Sequence, residues 1–411
     1  MRAQQPFIAP AVVANEMTIF RADRAFAREL VRVLAMVIAL RLVILITGLI
    51  GFSFSHLADS GFQSTPEARP WLAWDGYYYL EILEHGYIAP PPGKPVSHVA
   101  GFFPLYPLVA RTLTPLMSPH AAMVLLSNVC TIIGFGFLYG WLRTIAPRRV
   151  ALACVLLMCA YPGAVFFSAA LTEGPFFMLV AVTIWLLGRR QWFAAAVVAG
   201  FASAVRPTGL ALSAVVPLYA LIEMRHPNIP QLKRFGMVVL LGLISVSGMI
   251  IHMSYLWHRY DRPDAFVRAQ DSNVEQELNR RQILAASGEQ RYSLTFFLSR
   301  TTRPSGWNRA MWLPLTGLTF LGLIRCRRIP RVLFVLPLLI LLLSTLPERG
   351  MRINSAFRYQ SAAIPIFAMV AFWLAAHPDR TRRAVLFSLI ATMFAVQLYY
   401  AELFCRGYWV G

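Results

Sequence analysis

Five polar constellations interrupt a chain that is otherwise mostly apolar. The first is Trp74-Asp75-Gly76-Tyr77-Tyr78-Tyr79, followed by Gly86-Tyr87. The stretch 75–85 has helical potential and Gly86 is a natural stop, so spacings of three, four and seven put Asp75, Tyr78, Tyr79 and Ile82 on one face. A carboxylate over phenol rings can take a proton from a hydroxyl nucleophile, and flat aromatic rings suit the faces of a sugar. Two roles fit Asp75 by spacing alone: a general base, or an N-cap satisfying the free amides of the first turn. Tyrosines at a membrane boundary are also the ordinary aromatic belt.

The second constellation is Phe102-Phe103-Pro104-Leu105-Tyr106-Pro107. Two prolines three apart forbid a regular helix, and the aromatics would hold the segment at the interface as a re-entrant or capping element or an entry turn. The third is Leu171-Thr172-Glu173-Gly174-Pro175, which breaks an apolar stretch running from Val150 to Leu187. An acid at the membrane plane is costly and so marks function, unless Glu173 only favours the positive end of the helix that Pro175 opens. The fourth is Ser203-Ala204-Val205-Arg206-Pro207-Thr208-Gly209, where Arg206 is an isolated cation between two apolar halves. It could snorkel to the surface or bind an anion at a broken helix. The fifth runs from Glu348 to Tyr359 and carries Arg349, Arg352 and Arg358. A phosphate partner would explain three arginines there; pairing with Glu348 or with anionic headgroups is the alternative. An acid with tyrosines, a second acid and several arginines together suit transfer of a group from a lipid phosphate to a hydroxyl.

The elements that must hold these groups follow from composition. The chain has 411 residues, 57% hydrophobic and 14% charged, against about 25% charge in a soluble domain. Runs of roughly 20 apolar residues, or somewhat fewer, read as membrane helices. Candidate spans are 33–54, 120–142, 150–170, 175–188, 191–205, 208–222, 235–257, 310–324, 332–346, 359–376 and 384–404. The expectation is an all-α polytopic membrane protein with about eleven transmembrane helices. Five basic clusters fall between spans: Arg143, Arg148 and Arg149; Arg189 and Arg190; Arg225, Lys233 and Arg234; Arg325, Arg327, Arg328 and Arg331; and Arg380, Arg382 and Arg383. With the N-terminus cytoplasmic, alternating spans put all five inside. The segments 55–119, 258–309 and 347–358 then lie outside. Residues 1–32 form a cytoplasmic segment, 33–404 one transmembrane domain with a large first outer loop holding interfacial helices, and 405–411 a short tail. The first apolar run has no signal-peptide layout and reads as a retained anchor.

Other classes are excluded or unsupported. The formal charge is +19 and 36 of the 38 basic residues are Arg, but their placement between apolar runs is the positive-inside pattern and not a nucleic-acid footprint. Cys130, Cys154, Cys159, Cys326 and Cys405 show no metal or disulfide spacing. There is no Walker or dinucleotide glycine loop and no HExxH. The seven Asn include no Asn-x-Ser/Thr sequon, which leans toward a bacterial plasma membrane, with the endoplasmic reticulum as alternative.

The same residues resemble the PIG-V family of membrane mannosyltransferases and its bacterial relatives. The matching strings are Trp74-Asp75 with Tyr78, Gly86-Tyr87, Phe102 to Pro107, Ala170-Leu171-Thr172-Glu173 with Phe176-Phe177, and Arg206-Pro207-Thr208-Gly209, in family order; Phe357-Arg358-Tyr359 matches more loosely. The resemblance implies a GT-C glycosyltransferase fold with its active site on the extracytoplasmic side. It implies a polyprenyl-phosphate sugar donor, most simply mannose, and Asp75 as the base. The acceptor would be a hydroxyl of a lipid, glycan or protein.

The expected reaction is one inverting displacement. Asp75 accepts the acceptor's proton, Arg206 with Arg349, Arg352 or Arg358 holds the leaving phosphate, and Tyr78, Tyr79 and Tyr106 shape the sugar pocket. Glu173 would orient a hydroxyl. No metal or cofactor is required. The rival class is a lipid or sugar-lipid transporter or flippase, which would favour repeated halves with broken helices; no internal repeat is evident.

Overall fold

A computed structural model describes residues 24–54, 69–89, 96–224, 230–269, 312–345, 356–377, 379–408 and 410. Among these residues the chain is helical throughout, apart from an isolated bridge between Arg69 and Leu72. Helices occur at all eleven positions anticipated from the apolar runs. They are α1 (Arg24–Ser53), α4 (Pro119–Ile145), α5 (Arg148–Ala160), α6 (Glu173–Gly188), α7 (Trp192–Val205), α8 (Leu210–Glu223), α9 (Gln231–Tyr260), α11 (Trp312–Arg325), α12 (Val335–Thr345), α14 (Ile364–Ala375) and α15 (Arg380–Cys405). Short elements lie between them: α2 (Asp75–His85), α3 (Leu105–Arg111), α10 (Ala265–Arg268) and α13 (Ala356–Tyr359). Helices α1, α4, α9 and α15 are long and apolar enough to cross a membrane on their own. The protein is an integral membrane protein on this ground.

Helix α4 packs against α6, α6 against α7, and α7 against both α8 and α9; α1 lies against α15 and α4, and α14 against α5. In lipid there is little hydrophobic gain in pressing helices together, so close backbone approach carries the packing. Two places show it. A Cβ on Gly174 would meet the Ser127 carbonyl oxygen at 2.3 Å, at the α4–α6 contact. One on Gly248 would meet the Gly200 carbonyl oxygen at 2.2 Å, at the α7–α9 contact.

Two expectations about local structure change. The span anticipated at 150–170 is not one helix. Helix α5 ends at Ala160, Pro162–Phe167 forms a 3-10 turn, and all of 161–172 is buried. Pro162 supplies the break. The buried connection is tied down by polar contacts: the Tyr161 hydroxyl donates to the Phe357 carbonyl at 2.9 Å and the Ser127 hydroxyl to the Leu171 carbonyl at 2.8 Å. The Phe102–Pro107 segment does contain a helix. Pro104 is the N-cap of α3 and Pro107 is its third residue, a position whose amide would have no partner inside the helix anyway.

Candidate active site

Two acids and two arginines from four elements meet in one ionic chain. Glu173 opens α6 and is buried. Its Oε1 accepts from Arg206 Nη1 at 2.9 Å and from Arg358 Nε at 2.5 Å. Arg358 also donates from Nη1 to Asp75 Oδ2 at 2.7 Å, joining residues 283 apart in sequence. The guanidiniums of Arg206 and Arg358 lie 4.4 and 5.7 Å from the centre of the Tyr359 ring. Two carboxylates and two guanidiniums balance in charge, as burial of Glu173, Arg206 and Arg358 with a partly exposed Asp75 demands.

Each ion is placed by the local fold. Arg206 is the C-cap of α7, in extended conformation where Pro207 ends the helix. Its side chain is 8% exposed, so it does not snorkel. Arg358 sits in α13 with a side chain 3% exposed. Burial works against its charge, but Glu173 and Asp75 outweigh that and hold its pKa well above the ordinary value.

Asp75 follows a strained turn. Trp71 and Trp74 have φ of 63° and 54°, left-handed values that disfavour large side chains. The turn is held by Trp71, whose indole NH donates to the Leu45 carbonyl at 3.3 Å and whose carbonyl accepts from the Ala170 amide at 2.9 Å. Trp74 occupies the N-cap of α2 and no side chain caps that helix. Asp75 is the first helical residue, and its carboxylate turns to Arg358. The N-cap reading of Asp75 is therefore replaced. About a third of its side chain is exposed, and among the described residues Oδ1 makes no hydrogen bond.

The tyrosines divide. Tyr78 is half-buried and stacks on Phe102 with ring centres 4.7 Å apart. Tyr79 is buried edge-on to Phe102 and to Tyr106. Burial pushes its phenol pKa up and keeps it neutral. Tyr106 lies behind Tyr79, buried, with its hydroxyl donating to the Met123 carbonyl at 2.9 Å and lying 3.0 Å from Ser127 Oγ. Arg349 and Arg352, and the Pro90–Pro95 stretch, lie outside the described residues. Among the described residues no group of three His, Cys, Asp or Glu side chains could hold a metal.

Sequence reasoning passed over Arg41, the largest fully buried side chain among the described residues. It stands in α1, donates to the Ala164 carbonyl at 2.9 Å and to the Ser168 hydroxyl, and so braces the connection leading to Glu173. Its signal was the same as that of Arg206, a lone cation inside an apolar run. Tyr359 was legible only as the neighbour of Arg358.

Residues 97–252 match the family described as dolichyl-phosphate-mannose-protein mannosyltransferase. That range contains Tyr106, Glu173 and Arg206 and leaves out Asp75 and Arg358. It is a different mannosyltransferase family from the PIG-V group that the motifs resemble. No curated protein matches the chain. Solved structures of the Archaeoglobus fulgidus oligosaccharyltransferase are similar at a distance. The apo form shares 12% identity with a TM-score of 0.48 over 90% of this chain and 56% of that one. The complex with Zn and sulfate gives 11% and 0.47, over 89% and 53%. The AglB complex with an inhibitory peptide and a dolichol-phosphate gives 13% and 0.42, over 89% and 55%. The chain thus spans little more than half the length of these structures.

Proposed function

We propose that the protein is a GT-C glycosyltransferase that moves a hexose, most simply mannose, from a polyprenyl-phosphate donor to an acceptor hydroxyl on the extracytoplasmic face. The observation that carries this reading is the Asp75–Arg358–Glu173–Arg206 chain, a partly exposed carboxylate hydrogen-bonded to a buried cation. The family match over 97–252 supports it, since that family's description names a dolichyl-phosphate-mannose donor and a protein acceptor.

In the displacement, the acceptor oxygen attacks the anomeric carbon as the bond from that carbon to the phosphate oxygen breaks. Asp75 takes the hydroxyl proton, and the lipid monophosphate leaves with the bonding electrons. Arg358 and Arg206 hold that phosphate's charge in a site shielded from water. The hydrogen bond from Arg358 to Asp75 Oδ2 orients the carboxylate and ties the base to the cation that holds the leaving phosphate. Glu173 keeps both guanidiniums aligned, and Tyr78 and Tyr79 shape the sugar side of the pocket. Arg349 and Arg352 add further positive charge from the same sequence segment as Arg358.

The test incubates membranes containing the protein with radiolabelled polyprenyl-phosphate mannose. Label in a new covalent product is expected. Label that crosses the bilayer without a new bond would make the protein a transporter. The Asp75→Asn variant should fold and lose transfer by about 10²- to 10⁴-fold; full activity would remove Asp75 as base.

A further inference from the structure

A second cluster of charge lies at the opposite end of α4 from the acids. The first turn of α4 faces the Trp71 turn, where His120 Nε2 meets the Pro70 carbonyl at 2.8 Å. Its last turn carries Arg143. There α1, α4 and α5 border an open cavity of 440 Å³ lined by Ala25, Arg28, Glu29, Arg32, Arg143 and Arg148. Among the described lining residues, four guanidiniums stand with one carboxylate.

The single acid is already engaged. Glu29 Oε2 accepts from Arg143 Nε at 3.4 Å, and its Oε1 lies 2.8 Å from Arg148 Nε as an ion pair. Both arginines are held by their inner nitrogen. Arg143 gives Nη1 to the Ala146 carbonyl at 3.3 Å. Among the described residues, Arg143 Nη2 and both terminal nitrogens of Arg148 make no hydrogen bond. These forks are the groups that bind phosphate oxygens in pairs. Helix α5 also begins here, behind Pro147 and with no side chain capping it, and so adds the positive end of its dipole.

The surroundings select the ligand. From this end of α1 a stripe of exposed apolar side chains, Val31, Ile38, Leu42, Ile46 and Leu49, runs along the helix. A ligand with a phosphate at the cavity and hydrocarbon along that stripe satisfies both. We propose that the cavity binds the phosphodiester headgroup of an anionic lipid, separately from the donor site around Arg358. Basic pockets between membrane helices recognise lipid phosphate in this way.

The full-length chain, purified in a neutral detergent, is titrated with phosphatidylglycerol, phosphatidylcholine or inorganic phosphate, reading bound lipid by native mass spectrometry and the thermal midpoint in parallel. Phosphatidylglycerol should bind and raise the midpoint where phosphatidylcholine does not, and added salt should weaken it. Arg32 makes no ion pair among the described residues, so Arg32→Gln should fold normally and bind phosphatidylglycerol about fivefold more weakly. Glu29→Gln removes the acid found among the described lining residues and should tighten binding. Equal binding of the two lipids would overturn the site, as would weaker lipid binding by a folded Glu29→Gln. Inorganic phosphate protecting as well as phosphatidylglycerol at equal concentration would overturn the lipid and leave a soluble anion as occupant.

Discussion

At the scale of single residues, Glu173 is the hub. It is 1% exposed and holds two arginines through one oxygen, so removing its charge strands Arg206 and leaves Arg358 with Asp75 alone. Glu173→Gln should cost roughly 3–5 kcal/mol, seen as a lower unfolding midpoint; an unchanged midpoint would mean the cluster carries no structural weight. Arg206 can be separated from the base. Arg206→Ala should raise the donor KM more than it lowers kcat, if it holds the phosphate in both ground and transition states. An unchanged donor KM would take Arg206 out of the phosphate site. Arg358 is the residue that a lysine should not replace. Arg358→Lys keeps the charge but loses the planar fork that reaches Asp75 and Glu173 together, and transfer should fall at least about tenfold.

At the scale of elements, the contact between α4 and α6 sets where Glu173 stands. Gly174 follows Glu173 directly and lets the α6 backbone approach Ser127. Gly174→Ala should destabilise by about 1–3 kcal/mol through overpacking, with a drop in transfer because Glu173 is displaced. Gly236 in α9 has open space where a Cβ would go. Gly236→Ala is the control, expected to be neutral or to stabilise by about 0.5–1 kcal/mol. Comparing the two midpoints separates helix propensity from packing. The helices themselves were legible from apolar runs because lipid requires them. Their breaks were less so. The end of α5 at Ala160 depends on Pro162 within a run that stays apolar to Ala170, and hydrophobicity does not register a turn buried inside protein. The start of α3 turned on position: Pro107 is unfavourable in a helix interior and harmless in a first turn.

At the scale of the whole molecule, the orientation proposed from the arginine clusters has a direct check. His85 and Arg190 are well exposed. In a Cys326→Ser background, a His85→Cys variant should react with a membrane-impermeant maleimide in intact cells. An Arg190→Cys variant should react only after permeabilisation, and the reverse pattern would invert the topology. Cys130, Cys154, Cys159 and Cys405 are buried and should stay silent.

The sequence by itself determined that this is a helical membrane protein and where its helices lie, because hydrophobic length and loop charge are local properties that lipid reads directly. It also singled out Asp75, Glu173, Arg206 and Arg358, because an ion in or beside an apolar run stands out without any partner being known. What it left open was whether Asp75 merely caps α2 and whether Arg206 merely snorkels. Only the tertiary structure decided that Asp75 and Glu173 share Arg358, that Arg206 joins them, and that Tyr106 stands behind Tyr79. Those contacts join segments up to 283 residues apart. Charge balance in a buried site depends on which ions meet, and no spacing along the chain specifies that.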